Sequence, residues 1–126
     1  MESLYTENAP NPGGHYSQAQ LVENFIFTAG QVGLNPDTGE TPSEFREEVR
    51  QCFRNLKAVL SEGGADESDV VRTLCLLTDI KNFAVFNEEY EKFFGSHKPA
   101  RSTFGVALAG SFSVEVEAIA WVGKKP

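Results

Sequence analysis

The chain has 126 residues, 40% of them hydrophobic with ten phenylalanines, enough for one core and one domain spanning residues 1–126. Eighteen acidic residues against eleven basic ones leave a net charge of −7, which argues against a nucleic-acid partner, because phosphate neutralisation dominates such binding. No apolar run reaches the roughly 18 residues of a membrane span, the N-terminus has no secretory pattern, and Cys52 and Cys75 fit no metal or redox spacing, so a cytoplasmic protein with reduced thiols is expected.

Residues 7–14, Glu-Asn-Ala-Pro-Asn-Pro-Gly-Gly, hold two prolines and two glycines and cannot form regular structure. Tyr16-Ser17-Gln18-Ala19 reads as a short edge strand. Residues 24–29 are aromatic and β-branched and read as a second strand that Gly30 ends. Asn35-Pro36-Asp37-Thr38-Gly39 is a turn, with proline setting φ and glycine accepting a positive one. A helix is expected from Thr41-Pro42-Ser43-Glu44, with Thr41 as cap and Glu44 completing a capping box. Its apolar stripe is Phe45, Val49, Cys52, Phe53, Leu56, Val59 and Leu60, and Gly63-Gly64 stops it.

Residues 70–77 are apolar on both faces in their second half, which predicts a strand central in the sheet. Residues 79–82 turn into a second helix with the stripe Phe83, Phe86, Tyr90 and Phe93, leaving Glu88, Glu89, Glu91 and Lys92 mostly in water. Two strands finish the chain, joined as a hairpin across residues 109–113. In the last one, Val114, Val116, Ala118, Ala120 and Val122 share a face suited to lie under the helices. Glu115, Glu117, Ile119 and Trp121 share the other. A mixed sheet with both helices on one face satisfies this order, and its bare face suggests burial against another subunit.

Arg101 opens one of the two final strands and Glu117 lies in the other. Adjacent strands would put both in one cleft, where the guanidinium can clamp a carboxylate and the glutamate can hold a water. Read alone, the pair is equally an ion pair at a subunit interface. Tyr16 reads as packing or as a cleft residue, Asn87 as a surface amide or a cleft residue, and Glu115 as a solvated or interface acid. His15 and His97 are isolated loop residues with no metal pattern, and both cysteines read as buried and inert.

The segments Glu7-Asn8-Ala9-Pro10, Tyr16-Ser17-Gln18-Ala19, Thr28-Ala29-Gly30-Gln31, Asn35-Pro36-Asp37-Thr38-Gly39, Pro99-Ala100-Arg101-Ser102 and residues 114–120 occur in order at characteristic spacing. In these the chain resembles the RidA/YjgF family of enamine/imine deaminases. The resemblance implies an α+β, chorismate-mutase-like fold: a mixed β-sheet with two helices packed on one face, assembled as a homotrimer with sites between subunits. It implies hydrolysis of 2-aminoacrylate-type enamines and imines, released by pyridoxal-phosphate enzymes, to 2-keto acids and ammonia. Arg101 would bind the substrate carboxylate, Glu117 would act on the attacking water, and Tyr16, Gly30, Asn87 and Thr103 would line the cleft. No metal or organic cofactor is required, and the partners expected are the imino or keto acid and further copies of the chain.

The chain departs from the family pattern at His15 (often proline), at Thr103 (often cysteine), in a shorter loop before Pro99, and at residues 109–113, which lack the usual Leu-Pro. Thiol chemistry at position 103 is thereby excluded, and cleft shape and substrate range are the properties affected. Three other readings stay open: a trimer that binds keto acids without turning them over, a deaminase of 2-aminomuconate, and a ribonuclease or translation inhibitor. Net charge counts against the last.

Overall fold

The computed structural model describes residues 1–123. The strands are β1 (Glu2–Leu4), β2 (Ala19–Val22), β3 (Phe25–Thr28), β4 (Gln31–Val32), β5 (Val70–Leu77), β6 (Ala100–Gly105) and β7 (Val114–Trp121). The helices are α1 (Phe45–Glu62) and α2 (Phe83–Phe94). All seven strands form one sheet in the order β1-β2-β3-β7-β5-β6, with β4 continuing the β3 side of β7. Among the described residues only β5 and β6 pair in parallel. Among the described residues no helix is long and apolar enough to cross a membrane.

The expected hairpin between the last two strands does not form. Helix α2 carries the chain back to the start of β5, so β6 must run parallel to it. That occupies one edge of β5, and β7 takes the other, antiparallel. The loop of residues 106–113 therefore passes over the end of β5. It is tied there by Val106 N–H to Leu77 O (2.9 Å) and Thr78 N–H to Ser113 O (3.1 Å). Strand β5 is interior but next to the edge strand, and β7 holds the centre that β5 was expected to hold.

The alternation of β7 is realised as read. Val114, Val116, Ala118 and Ala120 are buried under the helices, while Glu115, Glu117 and Ile119 are half-buried and Trp121 is exposed on the other face. The stripe of α1 packs into that core with Val49, Cys52, Phe53, Leu56, Val59 and Leu60. The helix begins at Phe45, later than the capping box placed it. Glu44 occupies the cap position without a side-chain cap bond, and Glu47 and Glu48 supply negative charge to the first turn. Glu48 is itself buried and accepts from Ser113 N–H at 2.7 Å. Gly64 stops the helix at φ +83°, and a Cβ on Gly63 would run into Ile26 and Leu4.

The first expected strand also shifts. It starts at Ala19, because the Gln18 side chain is buried and stitches the irregular 6–10 segment instead. Its Oε1 accepts from Thr6 N–H (2.7 Å), and its Nε2 donates to Thr6 O (3.0 Å) and Pro10 O (2.9 Å). Strands β1 and β4 were not anticipated; at three and two residues they carry no periodic signal. The turn at residues 35–39 is present, with Gly39 at φ +73° and Asn35 Oδ1 accepting from Asp37 N–H at 2.8 Å.

On α2 the buried aromatics are Phe86, Tyr90 and Phe94, with Phe83 exposed and Phe93 half-exposed. Glu89, expected in water, is only 4% exposed. Three cations from both helices neutralise it: Arg46 at 2.6 Å, Arg50 at 2.8 Å and Lys92 at 3.3 Å. The pairing holds its carboxyl at about 2, well below the ordinary 4.5. The hydrogen bond from Arg50 is the largest cause, burial opposes it, and Arg46 and Lys92 add to it. A depressed folded-state pKa stabilises fully above the unfolded value and is lost as pH falls through the folded one. The Glu89 contribution is thus complete above about 4.5 and fades towards about 2. Glu89→Gln is expected to lower stability at neutral pH and to flatten its fall on acidification, read by urea denaturation across that window. An unchanged acid limb would mean that other carboxylates control it.

Candidate active site

Arg101 sits second in β6, paired across the sheet with Thr73 of β5 and through it with Ala118 of β7. Thr73 and Ala118 are buried beneath the helices, so Arg101 points to the helix side. Its guanidinium lies 4.6 Å from the Tyr90 ring centroid and 5.4 Å from that of Phe83. One terminal nitrogen donates to Asn87 Oδ1 at 2.8 Å. The other guanidinium donors have no partner among the described residues. Phe83, Asn87 and Tyr90 lie four and three residues apart on α2 and so share one helical face. The Tyr90 hydroxyl is fixed in turn against Thr73 Oγ1 at 2.8 Å. Burial is the main cause that pushes its pKa up, so it stays a neutral hydrogen-bonding group.

Thr103 follows two residues later on the same face, opposite the buried Cys75. Its Oγ1 is buried and has no hydrogen-bond partner among the described residues. Burial raises the Cys75 thiol to about 11 and pushes Cys52 up as well, so both are inert thiols. A cavity of about 410 Å³ opens beside Arg101, with Asn87, Tyr90, His97 and Pro99 in its wall. The His97 ring is anchored at Val70 O, 2.7 Å away.

Glu117 pairs with Leu74, one step along β7 from the Ala118–Thr73–Arg101 row. One step reverses the side-chain direction, so Glu117 points to the bare face of the sheet. Within one chain, Arg101 and Glu117 therefore occupy opposite faces and separated strands, which corrects the expectation that adjacent strands bring them together. Glu115 shares the bare face with Glu117. Burial, and then the charge of Glu117, raises its pKa. Gly30 belongs to this second group: a Cβ there would fall on the Glu115 carboxylate. Arg72, Leu74 and Ile119 complete a shallow depression beside Glu117.

Tyr16 stands apart from the Arg101 group. It precedes β2, which β3, β7 and β5 separate from β6, four strand spacings or about 19 Å. It is 54% exposed and its hydroxyl accepts from Gly13 N–H at 3.1 Å. His15 is exposed beside it. The sequence-expected residues thus divide into Arg101, Asn87 and Thr103 on the helix side and Glu117 with Gly30 on the bare face, with Tyr16 just before β2, where Gln18 O accepts from the Ala29 N–H next to Gly30. Tyr90 and Phe83 were read as core; their spacing to Asn87 was a usable sign that all three face one point. No local pattern marks Thr73 as the brace of Tyr90.

The bare face also carries Phe25, Phe27, Phe104 and Trp121, all exposed. A mixed sheet with two helices on one face, an arginine cradle on that side and an acid pair on the other define a class of small α+β domains. The family model described as Endoribonuclease L-PSP matches residues 6–122. A RutC family protein of Pyrococcus abyssi is 44% identical over 122 residues, 95% of this chain and 96% of that protein. The 2-iminobutanoate/2-iminopropanoate deaminase of Rattus norvegicus is 41% identical, covering 95% and 89%. The crystal structure of E. coli TdcF with bound serine superposes with a TM-score of 0.92 at 34% identity, covering 96% and 98%. The chain belongs to the RidA/YjgF family.

Gly30→Ala is expected to leave the fold intact, since the new methyl meets the far end of a flexible side chain, and to drive the Glu115 carboxylate into water. The pKa of Glu115, followed by carboxyl-carbon NMR, should then fall towards its ordinary value. An unchanged titration would show that Gly30 does not confine it.

Proposed function

We propose that this protein is an enamine/imine deaminase, hydrolysing 2-aminoacrylate-type intermediates and their imines to 2-keto acids and ammonia. The observation that carries this reading is the Arg101 guanidinium, stacked on Tyr90 and steered by Asn87, with donors left over and the unpartnered Thr103 hydroxyl two residues away. A planar fork with free donors matches a carboxylate, and an idle hydroxyl can hydrogen-bond the substrate's imine end. The names of the relatives and the serine in TdcF support a small amino- or imino-acid ligand.

The chemistry asks for orientation and one positioned water. Arg101 holds the carboxylate and fixes the adjacent C=N. A water held by Glu117 attacks the iminium carbon, its oxygen forming the new C–O bond while the C=N π electrons pass to nitrogen. Glu117 takes the water's proton and returns it to the amino group of the carbinolamine. The C–N bond then breaks and ammonia leaves, while the hydroxyl proton passes to the Glu117 carboxylate and its oxygen becomes the keto carbonyl. Arg101→Lys retains charge but loses the fork.

Arg101 and Glu117 lie on opposite faces of one chain, so a complete site takes them from different copies. Two unlike surfaces meeting head to tail can close into a ring, and the family resemblance supports a homotrimer. The exposed Phe25, Phe27 and Trp121 supply an apolar face for such an interface. Tyr16 and Gly30 would join the cleft from the neighbouring copy.

The test is the removal of 2-iminopropanoate, generated by an amino-acid oxidase and followed by semicarbazide trapping. The native protein should accelerate hydrolysis. Arg101→Lys should lose about tenfold or more in kcat/KM, and Glu117→Gln about a hundredfold in kcat. Mixed oligomers of Arg101→Ala and Glu117→Gln should regain about a quarter of native activity, because one arrangement in four rebuilds an intact site. No acceleration by the native protein, with pyruvate still bound, would replace the enzyme by a keto-acid-binding trimer. Failure of the mixed oligomers to recover would overturn the shared site.

A further inference from the structure

The outer surface of the helical layer holds a second cavity, of about 360 Å³, between α1, α2 and the turn at Glu67. It lies on the opposite side of α2 from Arg101 and shares no lining residue with the Arg101 cavity. Arg50, Phe53, Arg54 and Lys57 of α1 follow at three- and four-residue spacing, so they present one face. Lys92 and Phe93 of α2 close the other wall. The lining holds four cationic side chains and two carboxylates, Glu67 and Glu89, with Glu47 pairing Arg50 from just outside it at 2.6 Å, in a chain of net charge −7. This is the reverse of the overall balance.

The cations are partly pre-organised. Buried Glu89 fixes Arg50 and Lys92, and Glu67 holds Lys57 at 3.1 Å, so these cations are placed in advance and a ligand takes their remaining donors. Arg54 makes no ion pair among the described residues; it donates only to Gln51 Oε1, at 3.0 and 3.3 Å. The floor is aromatic: the Phe53 and Phe93 rings stack with centroids 4.7 Å apart, and Phe93 is half-exposed. The cavity has the volume of a small-molecule site.

We propose that this cavity binds a phosphorylated small molecule carrying a flat ring, of the mononucleotide class. A phosphate monoester presents three acceptor oxygens, enough for the Arg54 fork and the neighbouring Lys57 and Arg50 together, where a carboxylate has two. The ring packs on Phe93, and the phosphate takes donors from Arg54, Lys57 and Arg50. The site is independent of the deaminase reading and survives its failure.

The test uses the full chain at low ionic strength, titrated with AMP and with inorganic phosphate, followed by amide NMR and calorimetry. AMP should bind saturably, more tightly than phosphate, and more weakly as salt rises. Shifts should centre on residues 50–57 and 92–93. Arg54→Glu, an exposed position where folding is readily checked by circular dichroism, should weaken binding at least tenfold, and Lys57→Gln should weaken it less. Arg101→Ala should leave it unchanged. Absence of saturable binding, equal binding by Arg54→Glu, or loss of binding in Arg101→Ala would each overturn the proposal. Equal affinity for AMP and phosphate would overturn the ring contact.

Discussion

The period of two along a β-strand governs everything else in this molecule. In β7 it sends Val114, Val116, Ala118 and Ala120 into the core and Glu115, Glu117, Ile119 and Trp121 to the other side. Helices cover only the first set. The same alternation, carried across β5 into β6, puts Arg101 on the helix side, one residue out of step with Glu117. A sheet one layer thick cannot offer both side chains to one ligand. The chain therefore carries Arg101 and Glu117 on separate faces, and under the proposed function copies meeting through the apolar bare face would bring them together.

Helix α2 links the core to the site. Its inner side contributes Phe86 and Phe94 to packing, its sheet-edge side places Phe83, Asn87 and Tyr90 around Arg101, and its outer side engages α1 through Glu89. Displacing α2 would remove the platform under the guanidinium. The buried Glu89 cluster thus positions Arg101 at a distance, through helix placement rather than contact. The platform also explains how a cation tolerates partial burial: Tyr90 and Phe83 offer ring faces, and Asn87 offers a carbonyl oxygen, where water would otherwise be needed.

Much of the fold was legible because its signals are periodic. The stripe of α1, the alternation of β7, the Gly39 turn and the Gly63-Gly64 stop all follow from local spacing. The errors came where side chains make distant bonds. Gln18 was assigned to a strand and instead ties down the 6–10 segment. Glu89 was left in water, yet it holds two helices together across about 40 positions of sequence. The hairpin was inferred from adjacency in sequence, but β6 and β7 flank β5, because the α2 crossover forces β6 parallel. For the site, Arg101 and Asn87 were recognised by residue type and resemblance and do meet, whereas Tyr90 and Thr73 were read as core and strand.

The sequence by itself determined the α+β class, the family, the faces of the long elements and the identity of the charged residues available for chemistry, since each depends on short-range periodicity or on motif order. Only the tertiary structure decided strand order, the separation of Arg101 from Glu117 and the surroundings of the arginine. Those depend on which edge of β5 each neighbour occupies, a competition between strands distant in sequence that no local pattern records.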